Sequence, residues 1–374
     1  MLNTDKEKRI IISSKPFRRL ADKTQVIPTG SRNAQVRTRL THSLEVSTIA
    51  HEIAKNIGVI KNDYIQYEIN RGVVENVSFI HDLGIPPLGH LTERLFNKVF
   101  NHHFDINFEA NANNLVILEK DLKDISILTI VSSIKYPVLI KDNDNFKGLY
   151  EPQYNQYIEP LNDIIYFQNG NNPIKRTRTF ECSIMDLADE LAYLFSDSID
   201  LLTMSEVSPF DKVTLIELLK KYKINDPELF SVFKSIFLNR EIELIDQLRD
   251  TVISTVVYDQ KTNDIIVNNK DYRRVLKLLR FINHEYYIKI YSIREGDQLT
   301  KNMEEFLEYL CLNIENKKII LKYIFSTTRK RQYLESLKKS SKSAAKILMI
   351  ALSELSDTYM IQCIDNYFNQ ISPK

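Results

Sequence analysis

The residues able to do chemistry crowd into one stretch, HDLGIPPLGHLTE at 81 to 93, which offers His81, Asp82, His90 and Glu93 around a rigid Gly-Ile-Pro-Pro-Leu-Gly turn. Imidazole nitrogen with carboxylate oxygen suits a divalent ion such as Mn, Fe, Zn or Mg and leaves positions for water and phosphate. His81 and Asp82 close an apolar run of Val73, Val74, Val77, Phe79 and Ile80, so they are expected at a helix end. Unwinding of the next turn would let both face one ion. His90 and Glu93 lie three apart at the start of the following helix, where the carboxylate can hydrogen-bond the imidazole and fix its tautomer. Taken alone, that pair reads equally well as an acid-base unit or as a helix-terminal His beside a capping-region Glu.

Two further segments carry similar groups. In RTRLTHSLEV, Arg39 precedes His42 by three positions, so guanidinium and imidazole share a helix face, one able to hold a phosphate and the other a metal. CSIMDLADELAYLFSDSID carries Asp186, Asp189, Tyr193, Asp197 and Asp200. Asp189, Tyr193 and Asp197 are spaced by four beside an apolar stripe of Ile184, Leu187, Ala188, Leu191 and Leu194. A lone acidic stripe is more often solvated, but small and apolar flanks argue for a buried functional face. No P-loop, GxGxxG or GxSxG word occurs, which leaves phosphate to Arg and Lys side chains and a metal.

The elements that must position these groups are helical. Only 8 of 374 residues are Gly, and apolar positions recur at helical spacing over most of the length. Leu40, Leu44, Ile49, Ile53 and Ala54 give one core face, and Leu91, Leu95, Val99 and Phe100 another. Between about 137 and 178 the pattern breaks into Asn-, Asp-, Pro- and Tyr-rich sequence, read as an irregular insertion. Thr251–Tyr258, a polar turn at Asp259 to Asp264, and Ile265–Val267 read as a β-hairpin. The expected organisation is therefore an all-α core over 1–205 with a C-terminal, mostly helical region over 206–374 and one small β-hairpin. Arg329, Arg331, Lys338, Lys339, Lys342 and Lys346 read as a solvated helical face.

Composition narrows the function classes. With 50 Lys+Arg against 49 Asp+Glu, no global charge favours nucleic acid or a membrane surface. Cys182, Cys311 and Cys363 are far apart and lack CxxC spacing, which argues against a disulfide framework or a thiolate zinc site. The apolar runs fall short of the roughly 18 residues of a bilayer span, and the charged start MLNTDKEKRI is unlike a signal peptide. The expectation is a soluble, cytoplasmic protein without a membrane partner.

The order His42, His81-Asp82, later Asp resembles the HD-domain metal-dependent phosphohydrolases, an all-α superfamily. RRLADKTQV at 18 to 26, RTRLTHSLEV at 37 to 46, HDLGIPPLGHLTE, FEANA at 108 to 112, KYP at 135 to 137 and DLADELAY at 186 to 193 resemble, in order, the deoxyguanosine triphosphate triphosphohydrolase family. Its members convert a deoxynucleoside triphosphate to deoxynucleoside and tripolyphosphate. The resemblance implies His42, His81, Asp82 and Asp189 as ligands of a divalent metal ion, of Mn, Mg or Fe type. Asp189 rather than Asp186 matches, since Tyr and Asp follow it at four and eight residues. It implies His90 and Glu93 as the catalytic pair and Arg39 as a phosphate ligand. Gln25 then contacts the deoxyribose, Asn111 and Lys135 lie near the triphosphate, and Tyr193 with Asp197 forms the sugar pocket. A dNTP substrate and a homo-oligomer follow from the same resemblance, which leaves a nucleotide effector or single-stranded DNA open as further partners. Another HD-type nucleotidase or phosphodiesterase, or a non-catalytic nucleotide-sensing or nucleic-acid-binding protein, are the alternatives.

The sequence departs from that family at three points. Ile85 replaces the His or Asn that many relatives carry between Gly and Pro-Pro, and Asn113 and Val116 stand where Gln and Arg are usual. The chain is also short, which puts elements that shape base recognition or allosteric control in question.

Overall fold

A computed structural model of the chain describes residues 3–25, 37–61, 66–143, 147–169, 172–175, 177–204, 211–288 and 296–371. Val26 of the DKTQV word, and residues 144–146, 170, 171 and 176 of the expected insertion, lie outside the described residues. The fold is helical, as periodicity predicts. In chain order the first helices are α1 (Thr4–Ser13), α2 (Lys15–Arg19), α3 (Arg39–Ile57), α4 (Arg71–Ile80), α5 (His90–Phe104), α6 (Ala110–Asp121), α7 (Ile127–Ser132), α8 (Glu151–Ile165) and α9 (Phe180–Met204). Then come α10 (Lys212–Lys221), α11 (Pro227–Asn239), α12 (Glu243–Ser254), α13 (Lys270–Ile282), α14 (Gly296–Leu312), α15 (Lys317–Tyr323), α16 (Thr327–Leu337), α17 (Ser341–Ser353) and α18 (Asp357–Ile371). Among the described residues the sheets are three antiparallel pairs: β1 (Val59–Lys61) with β2 (Gln66–Glu68), β3 (Tyr166–Asn169) with β4 (Asn172–Lys175), and β5 (Val256–Asp259) with β6 (Asp264–Val267). No described helix is long and apolar enough to cross a membrane.

Contacts divide the chain into two units, and not at residue 205. The first comprises Met1–Ser43, Phe79–Asn162 and Glu295–Lys374; the second comprises Leu44–Ser78 and Asp163–Arg294. The expected split into consecutive halves differs because non-local helix packing, which no local periodicity reports, returns the C-terminal helices to the first unit.

In the first unit, Leu95, Phe96, Val99 and Phe100 of α5 pack with Met303, Phe306, Leu307 and Leu310 of α14 and with Leu348, Met349 and Leu352 of α17. Ile85 and Leu88 of the Pro-Pro turn belong to the same core. Burying side chains of this size contributes about 1.5–3 kcal/mol each, so the turn is anchored by hydrophobic burial as well as by its prolines. In the second unit α9 packs on α12, α13 and β6. Ile184, Ala188, Leu191 and Leu194 of its predicted stripe are fully buried, while Leu187 is half-buried.

Several expectations are corrected. Leu44, placed on the core face of α3, is 46% exposed, and Val46 and Ala50 fill the interior beside Ile49, Ile53 and Ala54. The expected irregular insertion contains α8, with Pro160 inside it, and the β3–β4 hairpin. Thr251–Ser254 ends α12, so the hairpin's first strand starts at Val256. Branched residues in Thr-Val-Ile-Ser suited a strand by propensity, and burial of Val252 and Ile253 on a helical face overrode it. Arg329 is not solvated: it is buried, and its guanidinium is ion-paired with Glu354 at 2.5 Å. Arg331, Lys338, Lys339 and Lys342 of the same basic stretch are exposed. Cys182, Cys311 and Cys363 are buried and form no disulfide.

Candidate functional site

The helical run of α4 stops at Ile80, and His81 to Gly84 form a turn whose backbone is held from several sides. On one side α6 supplies two amides: Asn114 donates to the His81 carbonyl and accepts from the Gly84 N–H at 2.5 Å, and Asn113 donates to the Gly84 carbonyl at 2.9 Å. Contact is so close that a Cβ on Gly84 would lie 2.2 Å from the Ala110 carbonyl oxygen, which explains the glycine. Elsewhere on the turn, Lys23 donates from Nζ to the Ile85 carbonyl, and Asp357 accepts from the Leu88 N–H at 2.7 Å. Leu88 and Gly89 both take left-handed backbone, with φ of 60 and 62.

His42, from the first turn of α3, comes to His81 and Asp82, and one ligand atom from each of the three buried residues lies within 4.8 Å of the others. The imidazole rings have centroids 5.5 Å apart, and His81 Nε2 lies 3.5 Å from Asp82 Oδ1. Arg39 takes the other carboxylate oxygen, Nη1 to Oδ2 at 2.5 Å, and its Nη2 is the nearest atom, 3.2 Å, to a Cβ built on Gly89. Two imidazoles and a carboxylate, one oxygen of which is neutralised by a guanidinium, fit a divalent ion with open positions.

His90 opens α5, with Nδ1 2.9 Å from Glu93 Oε2; its own ring is 68% exposed while Glu93 is buried. The pair lines a cavity of about 460 Å³ with Arg94, Asn97, Asn101, Asn107, Phe108 and Lys147. Lys147 Nζ lies 3.5 Å from Glu93 and 3.2 Å from Glu109. Burial pushes the Glu93 carboxyl up, but the His90 hydrogen bond and the Lys147 ammonium outweigh it and hold Glu93 below its ordinary value. In Glu109 burial prevails, raising its pKa against the pull of Lys147 and of the Asn111 and Ala112 donors. Burial lowers the Lys147 ammonium, yet Glu109 and Glu93 together carry it above its ordinary value. The cavity therefore presents a charged ammonium beside an ionised Glu93.

Of the remaining predicted site residues, Asn111 donates to Glu109 Oε1 at 2.7 Å, and Gln25 accepts from Arg39 Nη2 through its carbonyl at 3.4 Å. Lys135 follows α7, is half-buried, and does not line the cavity of His90. Asp189, Tyr193 and Asp197 lie on α9 in the second unit. Asp197 is buried, and burial with the Asp197 charge pushes the Tyr193 phenol up to about 12. Asp186 pairs with Arg178 at 2.6 Å. Sequence reading missed Lys23, Glu109, Asn114, Lys147 and Asp357. Glu109 had a signal, because an acceptor side chain before a helical run is an N-cap, and its carboxylate takes the Ala112 N–H at 2.7 Å. The others act through contacts distant in sequence and had none.

Comparison with known proteins finds the same region matched. An HD-domain family model matches residues 39–194. A "Deoxyguanosinetriphosphate triphosphohydrolase-like protein" of Aliivibrio fischeri (strain ATCC 700601 / ES114) is 30% identical over 238 residues, 53% of each chain. One of Aliivibrio salmonicida (strain LFI1238) is 32% identical with the same coverage. One of Rickettsia bellii (strain RML369-C) is 28% identical over 81% of this chain and 71% of its own. The chain spans about half the length of the first two of these relatives. The His-Asp pair and its buried His42 partner thus sit within an HD-domain match, in a chain that is similar over about half its length to deoxyguanosinetriphosphate triphosphohydrolase-like proteins.

Proposed function

We propose that the protein hydrolyses deoxynucleoside triphosphates to deoxynucleoside and tripolyphosphate in a metal-dependent reaction. The observation that carries this reading is the pairing, at the two ends of one braced turn, of the buried His42–His81–Asp82 donor set with the His90–Glu93 pair. A divalent ion of Mn, Mg or Fe type held by that donor set would supply positive charge against phosphate oxygens and acidify water. The resemblance adds Asp189 as a fourth ligand, an assignment carried by the DLADELAY word alone.

The chain's own residues then divide the work. Arg39 meets phosphate charge beside Asp82, with Lys135 and Asn111 assigned to the triphosphate by the resemblance. His90, oriented by Glu93, moves the proton at the ester oxygen of the leaving nucleoside or at the attacking water. A general acid-base group needs reach to the reacting atoms, and the reading is supported by an exposed His90 ring that borders the cavity. Gln25, Tyr193 and Asp197 are assigned to the deoxyribose, where the Tyr193 ring would exclude a 2′-hydroxyl by contact. Assembly as a homo-oligomer, and response to a second nucleotide or to single-stranded DNA, belong to the same reading and rest on the resemblance.

Purified protein incubated with each dNTP, singly and mixed, with Mn or Mg, tests the proposal when tripolyphosphate is resolved from pyrophosphate. Tripolyphosphate with loss of turnover in His90→Ala supports it. Pyrophosphate or orthophosphate as product would assign another HD hydrolase activity. DNA binding with steep salt dependence and no turnover would favour a binding protein.

A further inference from the structure

Beside the proposed active site lies a buried pair that the mechanism does not use. Lys23 is 1% exposed and Asp357 0% exposed. Lys23 Nζ donates to the Ile85 carbonyl and, at 3.0 Å, to the Ser353 carbonyl at the end of α17. Asp357, the first residue of α18, accepts from the Leu88 N–H at 2.7 Å, and its other oxygen accepts from the N–H and hydroxyl of Thr24 at 2.9 and 2.7 Å. One residue of the pair thus grips the start of the Ile85-Pro86-Pro87-Leu88 turn and the other grips its end. Thr24 ties the two, being next to Lys23 in sequence and bonded to Asp357.

The grip is costly to build. Burial pulls the Lys23 ammonium well below its ordinary value and pushes the Asp357 carboxyl up, and each charge opposes the other's shift. Leu88 is held in left-handed backbone, which is unfavourable for a non-glycine residue, and its N–H is the one Asp357 takes. Hydrophobic packing of Ile85 and Leu88 alone would keep the turn in the core. It would not fix where the backbone points on leaving the turn, and that direction decides where His90 stands relative to His81-Asp82.

We propose that Lys23 and Asp357 are positioning residues that set the separation of His90–Glu93 from the His42–His81–Asp82 cluster by clamping both ends of the Ile85–Leu88 turn. The proposal rests on the functional reading for its effect on turnover but not for its geometry.

The test compares the full-length wild type with Asp357→Asn, Lys23→Met and the double variant. With histidines labelled with 13C and Mn²⁺ as the probe, paramagnetic broadening of the His90 ring signal reports its distance from the bound ion and needs no turnover. The expected result is altered His90 broadening in both single variants, with Mn²⁺ uptake and helical circular dichroism retained. The His103 ring, which is bonded to Glu308 at 2.5 Å, should keep its wild-type signal. Where the wild type turns over a dNTP, kcat falls about 10- to 100-fold in the variants, the effect of small misplacement at a reacting centre. KM stays within about threefold, and the double variant loses no more than the worse single one. Unchanged His90 broadening in the folded variants overturns the proposal. So does unchanged kcat, and so does loss of Mn²⁺ uptake, which would make the pair part of the metal site. A wild type that turns over no dNTP fails the functional reading, and the broadening then decides the clamp by itself. If Asp357→Asn does not fold, Thr24→Val weakens the same grip and takes its place.

Discussion

Arg39 Nη1 lies 2.5 Å from Asp82 Oδ2 with both side chains buried, so the carboxylate of the His42–His81–Asp82 cluster already shares its charge with a guanidinium. Breaking a buried pair by removing one partner costs about 3–5 kcal/mol, because the remaining charge stays desolvated. Arg39→Ala is therefore expected to destabilise the metal-free protein by about 3 kcal/mol. A divalent ion at Asp82 would offset part of that loss. The rise in Tm on adding Mn²⁺ should accordingly be larger in Arg39→Ala than in the wild type, as differential scanning fluorimetry with and without EDTA would show.

The donor set itself makes a second prediction. Asp82→Ala removes the carboxylate among three clustered ligands, and loss of a ligand should abolish stoichiometric metal in protein freed of excess Mn²⁺. Metal analysis of Asp82→Ala and His42→Ala should read near zero per chain, and the Mn²⁺-dependent rise in Tm should vanish with it. Asp189→Ala should weaken Mn²⁺ binding by about tenfold or more if its assignment holds. Parental metal content in Asp189→Ala would leave the metal to His42, His81 and Asp82.

Local words carried much of this, for a physical reason. His81-Asp82 at a helix end and His90 with Glu93 at a helix start are relations between near neighbours, and helical geometry fixes them from spacing alone. The cluster of His42 with His81 needed the resemblance, since nothing in 38 intervening residues dictates that α3 meets the end of α4. Ile85 shows the limit most clearly: as a departure from relatives it reads as a lost polar role, whereas it is 7% exposed and packs in the core. Its carbonyl, which every residue type possesses, is what Lys23 holds. Backbone-directed contacts of this kind leave no trace in residue patterning. The same is true of Lys147, whose partners Glu93 and Glu109 precede it by 54 and 38 positions.

Gly84 is expected to tolerate no side chain. A Cβ there would approach the Ala110 carbonyl oxygen to 2.2 Å and the Asn114 nitrogen to 2.4 Å, and both are backbone atoms of a helix that cannot move aside singly. Overpacking of this kind costs about 1–3 kcal/mol and more where backbone must shift. Gly84→Ala should lower the urea midpoint by an amount in that range. It should also lower Mn²⁺ affinity, because the displaced segment carries His81 and Asp82. Gly58→Ala makes a matched control, since its Cβ would meet nothing closer than 3.9 Å and only its φ of +60 is unfavourable.

Lys147 should add stability that depends on pH through the two carboxylates it faces. In the wild type Glu93 is held below its ordinary value, so its ionised form adds stability above the unfolded pKa and loses it as pH falls through the folded one. Lys147→Met leaves Glu93 and Glu109 buried near each other without a cation, so both carboxyls rise relative to the wild type, Glu109 further above its ordinary value, while the His90 hydrogen bond still acts on Glu93. The stability lost relative to the wild type then grows as pH increases through their range, because the unfolded state ionises more readily than the variant's folded state. The Lys147 side chain is 36% exposed, so solvent screening limits the destabilisation at neutral pH to about 1 kcal/mol. Urea denaturation at pH 4.5 and pH 8 should find the variant nearly as stable as the wild type at the lower pH and less stable at the higher. Equal destabilisation at both would mean that Lys147 contributes packing of its aliphatic stem rather than charge.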